Sequence, residues 1–232
     1  MKNYKFLPIV TGLFTAVLLI SNILDVKIFK IFDFGFFAFD SFNMPAGVIL
    51  FPIAYVFGDV LTEVYGYSAS RKVIWTGFAS LLLFIIFSQI AIMLPAGEGW
   101  NLEEAYNTML THVPRVMIAS MTAYFAGEFT NSFILAKMKV KTEGKGMASR
   151  FIVSTIFGEF VDTAIFVAIA YAGVLPFYVL ISILIPAWIF KVLWEVVALP
   201  LSIPLVKWLK RVENEDYFDK NTNFNPFKLN DK

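Results

Sequence analysis

Long apolar stretches separated by short polar connections dominate this chain. A run of about 20 apolar residues is long enough to cross the hydrocarbon core of a bilayer as a helix. Six such runs are present, at approximately residues 6–24, 44–65, 72–94, 114–137, 149–172 and 177–206. The pattern therefore predicts an all-α polytopic membrane protein with six transmembrane helices.

The polar connections divide the chain further. Residues 25–43 form a Phe-rich connection that is too polar and too broken by Gly to span a membrane. Residues 95–111 form a second long polar connection between predicted helices. We assign residues 1–210 to one transmembrane domain and residues 211–232 to a polar, Asn-rich cytoplasmic tail. A polar tail with few apolar residues has little to bury, so we expect it to be poorly ordered.

Composition supports the membrane class and excludes several others. The 232 residues are 58% hydrophobic and 16% charged, whereas soluble domains carry about 25% charged residues. The formal net charge of +1 argues against a nucleic-acid partner, which would require a basic excess. With no Cys and a single His, thiolate and His-clustered metal sites are excluded. We expect that the protein has no cofactor and that the lipid bilayer surrounds its apolar surface.

The distribution of Lys and Arg predicts the orientation. With the N-terminus inside, most of the 19 Lys and Arg residues lie in cytoplasmic segments, and the outer connections hold only Lys27 and Lys30. Cytoplasmic loops of membrane proteins carry this excess of positive charge. We therefore expect a multi-pass protein with both termini in the cytoplasm.

Ionisable residues interrupt the predicted spans and are the candidates for function. They are Asp59, Glu63, Glu128, Glu159, Asp162, Lys191 and Glu195. A charge at this depth is costly, so it marks a functional site by default. Glu159 and Asp162 are three residues apart and share one helix face. A rise of about 1.5 Å per residue places Lys191 at a depth similar to that of Glu159, which makes the lysine the natural counter-charge for these acids.

An ion-pair network that only fixes the helix packing is the competing interpretation. For Glu63 and Glu195, near the predicted cytoplasmic ends, the two interpretations have equal weight. The deeper charges favour a site lining. Lys191 and Glu195 could also pair along their own helix, since they are four residues apart.

A short sequence echo links three of the acids. Gly58 precedes Asp59, Gly127 precedes Glu128, and Gly158 precedes Glu159. Glycine lets a neighbouring helix or a ligand approach the backbone closely. Three helices on each side of residues 95–111 would form a 3+3 inverted repeat, an arrangement found in secondary transporters.

Four segments resemble the queuosine precursor transporter family, also described as vitamin-uptake-transporter-like. They are FPIAYVFGDVLTEVYGYSASRKVIWTGF at 51–78, GEFTNSFILAKMK at 127–139, SRFIVSTIFGEFVDTAIFVAIAY at 149–171 and IFKVLWEVVALPLSIPLVKWLK at 189–210. The positions that match the family pattern are Pro52, Asp59, Gly66, Arg71, Gly158, Asp162 and Lys191. The resemblance implies a six-helix inner-membrane protein that imports 7-cyano-7-deazaguanine and 7-aminomethyl-7-deazaguanine, precursors of a modified tRNA base.

The chemistry of the polar residues agrees with such a ligand. A guanine-like edge presents two adjacent N–H donors, which one carboxylate accepts as a charge-assisted pair. Lys191 or Asn131 could donate to the adjacent carbonyl oxygen, and aromatic faces would hold the flat ring. We therefore predict a substrate site near the middle of the membrane. Its residues are Asp59, Glu128, Asn131, Glu159, Asp162 and Lys191.

The sequence leaves the energy source and the assembly open. No G-x-x-x-x-G-K-[ST] motif occurs, so the chain does not bind ATP through a P-loop. Proton coupling and facilitated diffusion both fit, and so does a homodimer. One alternative is a substrate-binding membrane subunit driven by a separate ATPase. Another is an intramembrane enzyme with paired acids, although no nucleophile signature accompanies the acids.

Overall fold

The computed structural model describes residues 4–24, 27–30, 43–110 and 114–228, and nearly all of them are helical. The α-helices are α1 (Leu7–Leu24), α2 (Phe51–Val60), α3 (Tyr67–Met93), α4 (Glu103–Leu110), α5 (Pro114–Lys141), α6 (Met147–Tyr171) and α7 (Phe177–Glu213). Two short strands, β1 (Ile28–Lys30) and β2 (Asn43–Pro45), pair antiparallel. Most of the Phe-rich connection lies outside the described residues.

Four of the described helices, α1, α3, α6 and α7, are long and apolar enough to cross a membrane. The predicted polytopic membrane protein is therefore confirmed, while the count of six spans stays a prediction. The second predicted span is divided into a 3-10 turn at Ala46–Leu50, α2, and a π-helical turn at Leu61–Tyr65. The fourth corresponds to α5. The short helix α4, which the sequence analysis did not predict, lies in the long polar connection and buries none of its residues.

Four segments of the chain meet at one end of the helix bundle, which we call the basic end. Tyr4, before α1, donates a hydrogen bond to Glu215 in the tail. The Tyr217 N–H donates to the carbonyl of Val64, near the α2–α3 turn, and the Phe218 ring lies against Gly144 in the α5–α6 turn. The charge pattern predicts that all of these segments lie in the cytoplasm. The structure places them together at one end of the bundle, and their orientation in the cell stays a prediction.

The tail is folded onto the basic end, so the prediction of a poorly ordered tail is wrong. Arg71, which is fully buried, donates to the carbonyls of Asn223 and Asn225 at 2.7 and 2.9 Å. Asp219, only 3% exposed, accepts the N–H of Tyr67 at the start of α3. The prediction considered only the polar composition of the tail. The tail is held by hydrogen bonds to buried groups, and loss of these hydrogen bonds would be costly because it would leave the buried groups without partners.

Helix α7 continues beyond the predicted end at residue 206, and its last residue contacts the N-terminal segment of the chain. It ends at Glu213, and Asn214 follows in the left-handed conformation with φ of 48°, as is common after a helix. The Glu213 carboxylate accepts the backbone N–H groups of Lys5 and Phe6 at 3.0 and 2.6 Å. An acid is favourable at the positive N-terminal end of a helix, so Glu213 caps α1.

Glycines bring α5 and α6 into close contact at the level of the candidate site. A Cβ on Gly127 would lie 2.7 Å from the Cβ of Asp162, and a Cβ on Gly158 would lie 2.7 Å from that of Asn131. A Cβ on Gly58 of α2 would lie 3.3 Å from a carboxylate oxygen of Glu128. Each glycine of the sequence echo thus admits a polar residue from a neighbouring helix. The inverted repeat itself stays a prediction.

Candidate functional site

A lysine from α7 bridges two carboxylates of α6. The Lys191 Nζ lies 2.9 Å from Glu159 Oε2 and donates a hydrogen bond to Asp162 Oδ2. The three side chains are between 14% and 21% exposed, so their charged groups are largely buried inside the protein. Glu159 and Asp162 share the helix face that their spacing predicts. The structure brings these three predicted residues together; that they bind substrate stays a prediction.

The next side chains in the cluster come from α2 and α5. The Asn131 amide donates to Asp59 Oδ1 across a long 3.5 Å hydrogen bond. Asp59 is 1% exposed, and its second oxygen has no hydrogen-bond partner in the described part of the chain. Glu128 lies beside Gly58, directly before Asp59. The predicted site residues of α2 and α5 are therefore neighbours of one another.

Glu195 also belongs to this cluster, and the sequence analysis placed it wrongly near the helix end. It is fully buried, and neither of its carboxylate oxygens has a hydrogen-bond donor among the described residues. Its carboxyl lies within hydrogen-bond reach of Asp59. Its position four residues after Lys191 was the available signal, since residues at this spacing share a helix face.

Glu63 lies in a different environment from the other acids. Its fully buried carboxylate accepts two hydrogen bonds from Arg150, at 2.8 Å from Nε and 2.7 Å from Nη2. Lys210 donates to the same carboxylate, and the Lys139 ammonium lies 3.7 Å from it. Both oxygens are thus engaged by cations of other helices. Of the two interpretations that the sequence left open for Glu63, this arrangement favours the structural ion-pair network.

An apolar cleft of about 390 Å³ opens between α2 and α7, the helices that carry Asp59 and Glu195. Its lining residues are Ile53, Val56, Phe57, Trp194, Val197, Ala198, Leu201 and Leu205. Phe57 and Trp194 give it two aromatic walls, and each precedes one of the two acids by one or two residues. The Trp194 indole N–H has no hydrogen-bond partner in the described structure. From the sequence alone, both aromatic residues are interpreted as lipid-facing or core residues and not as part of the site, because neither stands out among 26 Phe and 5 Trp.

The cluster offers both hydrogen-bond acceptors and a donor to a polar organic molecule. Several carboxylates can each accept a pair of N–H donors, and Lys191 can donate to a carbonyl oxygen. In the described residues, His, Cys, Asp and Glu form no group of three that could hold a metal ion. Because Lys191 already bridges Glu159 and Asp162, a ligand that takes either carboxylate must compete with this ion pair.

The helices that could cross a membrane enclose a buried cluster of opposite charges, and such intramembrane charges are typical of integral membrane proteins with a substrate or ion pathway. The chain belongs to the family described as "Putative vitamin uptake transporter", whose sequence model matches residues 45–205. It is similar to the "Probable queuosine precursor transporter" of Bacillus subtilis (strain 168), with 26% identity over 172 residues, which are 74% of this chain and 73% of that protein. No solved structure matches the chain.

The comparisons confirm the family that the sequence resembles. Membership of a transporter family also removes the intramembrane enzyme from the alternatives.

Proposed function

We propose that this chain is a secondary transporter that imports the queuosine precursors 7-cyano-7-deazaguanine, 7-aminomethyl-7-deazaguanine, or both, across the cell inner membrane. The family and the similarity to the Bacillus subtilis protein support the substrate class. The observation that carries the proposal is the Lys191 ammonium held between the Glu159 and Asp162 carboxylates. Such a set offers both acceptors and a donor to one flat molecule.

The proposed site consists of the six predicted residues, Asp59, Glu128, Asn131, Glu159, Asp162 and Lys191. One carboxylate of the Lys191 pair accepts the ring N–H and the exocyclic amine of the deazaguanine as a charge-assisted pair. Lys191 remains paired with the other carboxylate and donates to the carbonyl oxygen of the ligand. A site that makes these hydrogen bonds rejects flat molecules without them, because its buried polar groups would be left unpaired.

The same helices contain positions at which they can bend during alternating access. A π-helical turn begins at Leu61, two residues after Asp59, and such turns are frequent at functional sites. Helix α7 contains Pro186 and Pro200 on either side of Lys191, and proline interrupts the helical hydrogen bonds. We propose six membrane-crossing segments with the basic end and both termini in the cytoplasm.

The test is uptake of labelled 7-cyano-7-deazaguanine into liposomes that contain the purified chain and no other protein. We expect the wild-type chain to take up the label, and Asp162→Asn to lower the initial rate at least tenfold. Glu98→Gln, an exposed residue of the outer connection, is the matched control and should match the wild type. Absence of uptake under every ion gradient would contradict a secondary transporter, and uptake that appears only with an added ATPase and ATP would favour the membrane-subunit alternative.

A further inference from the structure

We propose that the carboxyl pair Asp59–Glu195, between α2 and α7, is the site that carries a coupling proton during transport. The inference rests on the proposed transport function and adds the identity of the coupling ion and its location. The pair differs from the Lys191 cluster in that no cation has been found on it in the described part of the structure.

The first argument is the hydrogen-bond chemistry of the pair. Asp59 and Glu195 are 1% and 0% exposed, and three of their four carboxyl oxygens have no partner among the described residues. The two carboxyls nevertheless lie within hydrogen-bond reach of each other. Two ionised carboxylates are both acceptors and cannot bond, whereas a carboxylic acid donates to a carboxylate. One proton held between the two groups therefore satisfies this geometry.

The second argument is the charge around the pair. Glu128 of α5 and Glu159 of α6 are the acids that face it from the neighbouring helices, and Asn131 of α5 is its neutral neighbour. Lys191, four residues before Glu195, is the cation of the cluster, and it is held by Glu159 and Asp162. With more acids than cations in a buried volume, one carboxyl is favoured in its neutral form, since like charges at close range cannot both ionise.

The third argument is the position of the pair in the fold. Asp59 lies on α2 two residues before the π-helical turn at Leu61–Tyr65, and Glu195 lies on α7 five residues before Pro200. The pair therefore joins α2 and α7 close to a π-helical turn after α2 and to a proline within α7. When the pair holds a proton, the two carboxyls bond and hold α2 against α7. When the proton leaves, two negative charges face each other and favour separation of the helices.

Coupling follows from this dependence. The proposed substrate residues lie on α2, α5, α6 and α7, so substrate binds best when α2 and α7 are packed together. Proton binding favours that packing and therefore substrate binding. By linkage, bound substrate must favour proton binding to the same extent. Substrate and proton consequently travel in the same direction.

The test measures accumulation rather than rate in liposomes containing the purified chain, with the membrane potential clamped at zero. Across an interior-alkaline gradient of one pH unit, one proton per neutral substrate drives about tenfold accumulation of labelled 7-cyano-7-deazaguanine. We expect this ratio for the wild type and for the control Glu98→Gln. For Glu195→Gln, whose amide can donate to Asp59 without a proton, we expect a ratio near one, whatever the absolute rate. Glu195→Asp, which keeps the carboxyl, should retain accumulation.

Several outcomes would overturn the inference and leave the transport function standing. They are accumulation by Glu195→Gln at the wild-type ratio, mere equilibration by the wild type, and accumulation that follows a sodium gradient instead of the pH gradient. Failure of the wild type to take up the label under any condition would overturn the proposed function as well, so the two failures are distinguishable.

If Glu195→Gln takes up no label at all, the proton assignment is tested by a measurement that does not depend on transport. Infrared spectroscopy of the purified wild type at neutral pH should show the stretching band of buried protonated carboxyls, and this band should be weaker in Glu195→Gln. Identical spectra for the two proteins would overturn the proton assignment. Size-exclusion chromatography checks that the variant remains folded.

Discussion

Arg150 on α6 donates two parallel hydrogen bonds to Glu63 in the π-helical turn after α2, from Nε at 2.8 Å and from Nη2 at 2.7 Å. Both residues are fully buried. The planar guanidinium matches the carboxylate in this two-point geometry, which a lysine cannot reproduce. The pair joins the first part of the chain to the second at the basic end, where the tail also folds.

The Arg150–Glu63 pair leads to a stability prediction. Glu63→Gln leaves the buried guanidinium without a counter-charge, and breaking a buried pair in this way costs about 3–5 kcal/mol. Unfolding of the purified protein in detergent, followed by circular dichroism, measures the change, and Glu98→Gln is the matched control at an exposed position. Equal stability of Glu63→Gln and the wild type would show that the pair does not hold the basic end together.

The glycines between α5 and α6 lead to a second prediction. Gly158→Ala would place a Cβ 2.7 Å from that of Asn131, so the helices must separate, at a cost of about 1–3 kcal/mol for an overpacked contact. Gly12→Ala is the control, because nothing lies within 4 Å of a Cβ there, and alanine favours a helix by about 1 kcal/mol over glycine. In unfolding experiments in detergent, Gly158→Ala should therefore be less stable than the wild type, and Gly12→Ala should be more stable.

How far the sequence predicts the site depends on the kind of interaction. The alignment of Lys191 with Glu159 follows from helical rise, because each residue can be counted from a helix end that the sequence predicts closely, near residue 149 for α6 and at Phe177 for α7. Glu195 was placed too near the helix end because α7 continues to Glu213 instead of ending near residue 206, and the sequence does not show how α7 packs against α2. The tail was misjudged because its stabilising contacts are long-range: Asn223 accepts a hydrogen bond from Arg71, which lies 152 positions earlier in the chain.

Lys191 should be required for both stability and transport. Lys191→Met leaves Glu159 and Asp162 without their shared cation, and we expect a loss of about 3 kcal/mol in the free energy of unfolding and at least a tenfold fall in uptake. Lys207→Met, at an exposed position of α7, controls for the loss of a lysine. The double variant Lys191→Met with Asp162→Asn should recover part of the stability but no uptake. Recovery of uptake in the double variant would contradict a role of these side chains in substrate binding.

The contact between the tail and α3 can be tested at one residue. Asp219 accepts the N–H of Tyr67 at the N-terminus of α3 and a hydrogen bond from Thr222. Asp219→Ala removes this cap, and we expect a loss of about 1–2 kcal/mol. Lys220→Ala, the exposed neighbour, should leave stability unchanged. Limited proteolysis of the tail gives a second measurement, and equal cleavage rates for the two variants would contradict the capping role.

Asp216 makes attachment of the tail depend on pH. Burial alone would raise the pKa of its carboxyl, but hydrogen bonds from Lys139 and Lys210 outweigh this and hold the pKa below its ordinary value. A lowered pKa in the folded state means that the contribution is present above the unfolded value of about 4 and is lost as the pH falls through the folded value. Hydrogen exchange of the tail amides should therefore be slower in the wild type than in Asp216→Asn at neutral pH. The two proteins should converge at a pH below the folded value, and a difference that persists there would contradict this origin, because the wild-type carboxyl is by then neutral.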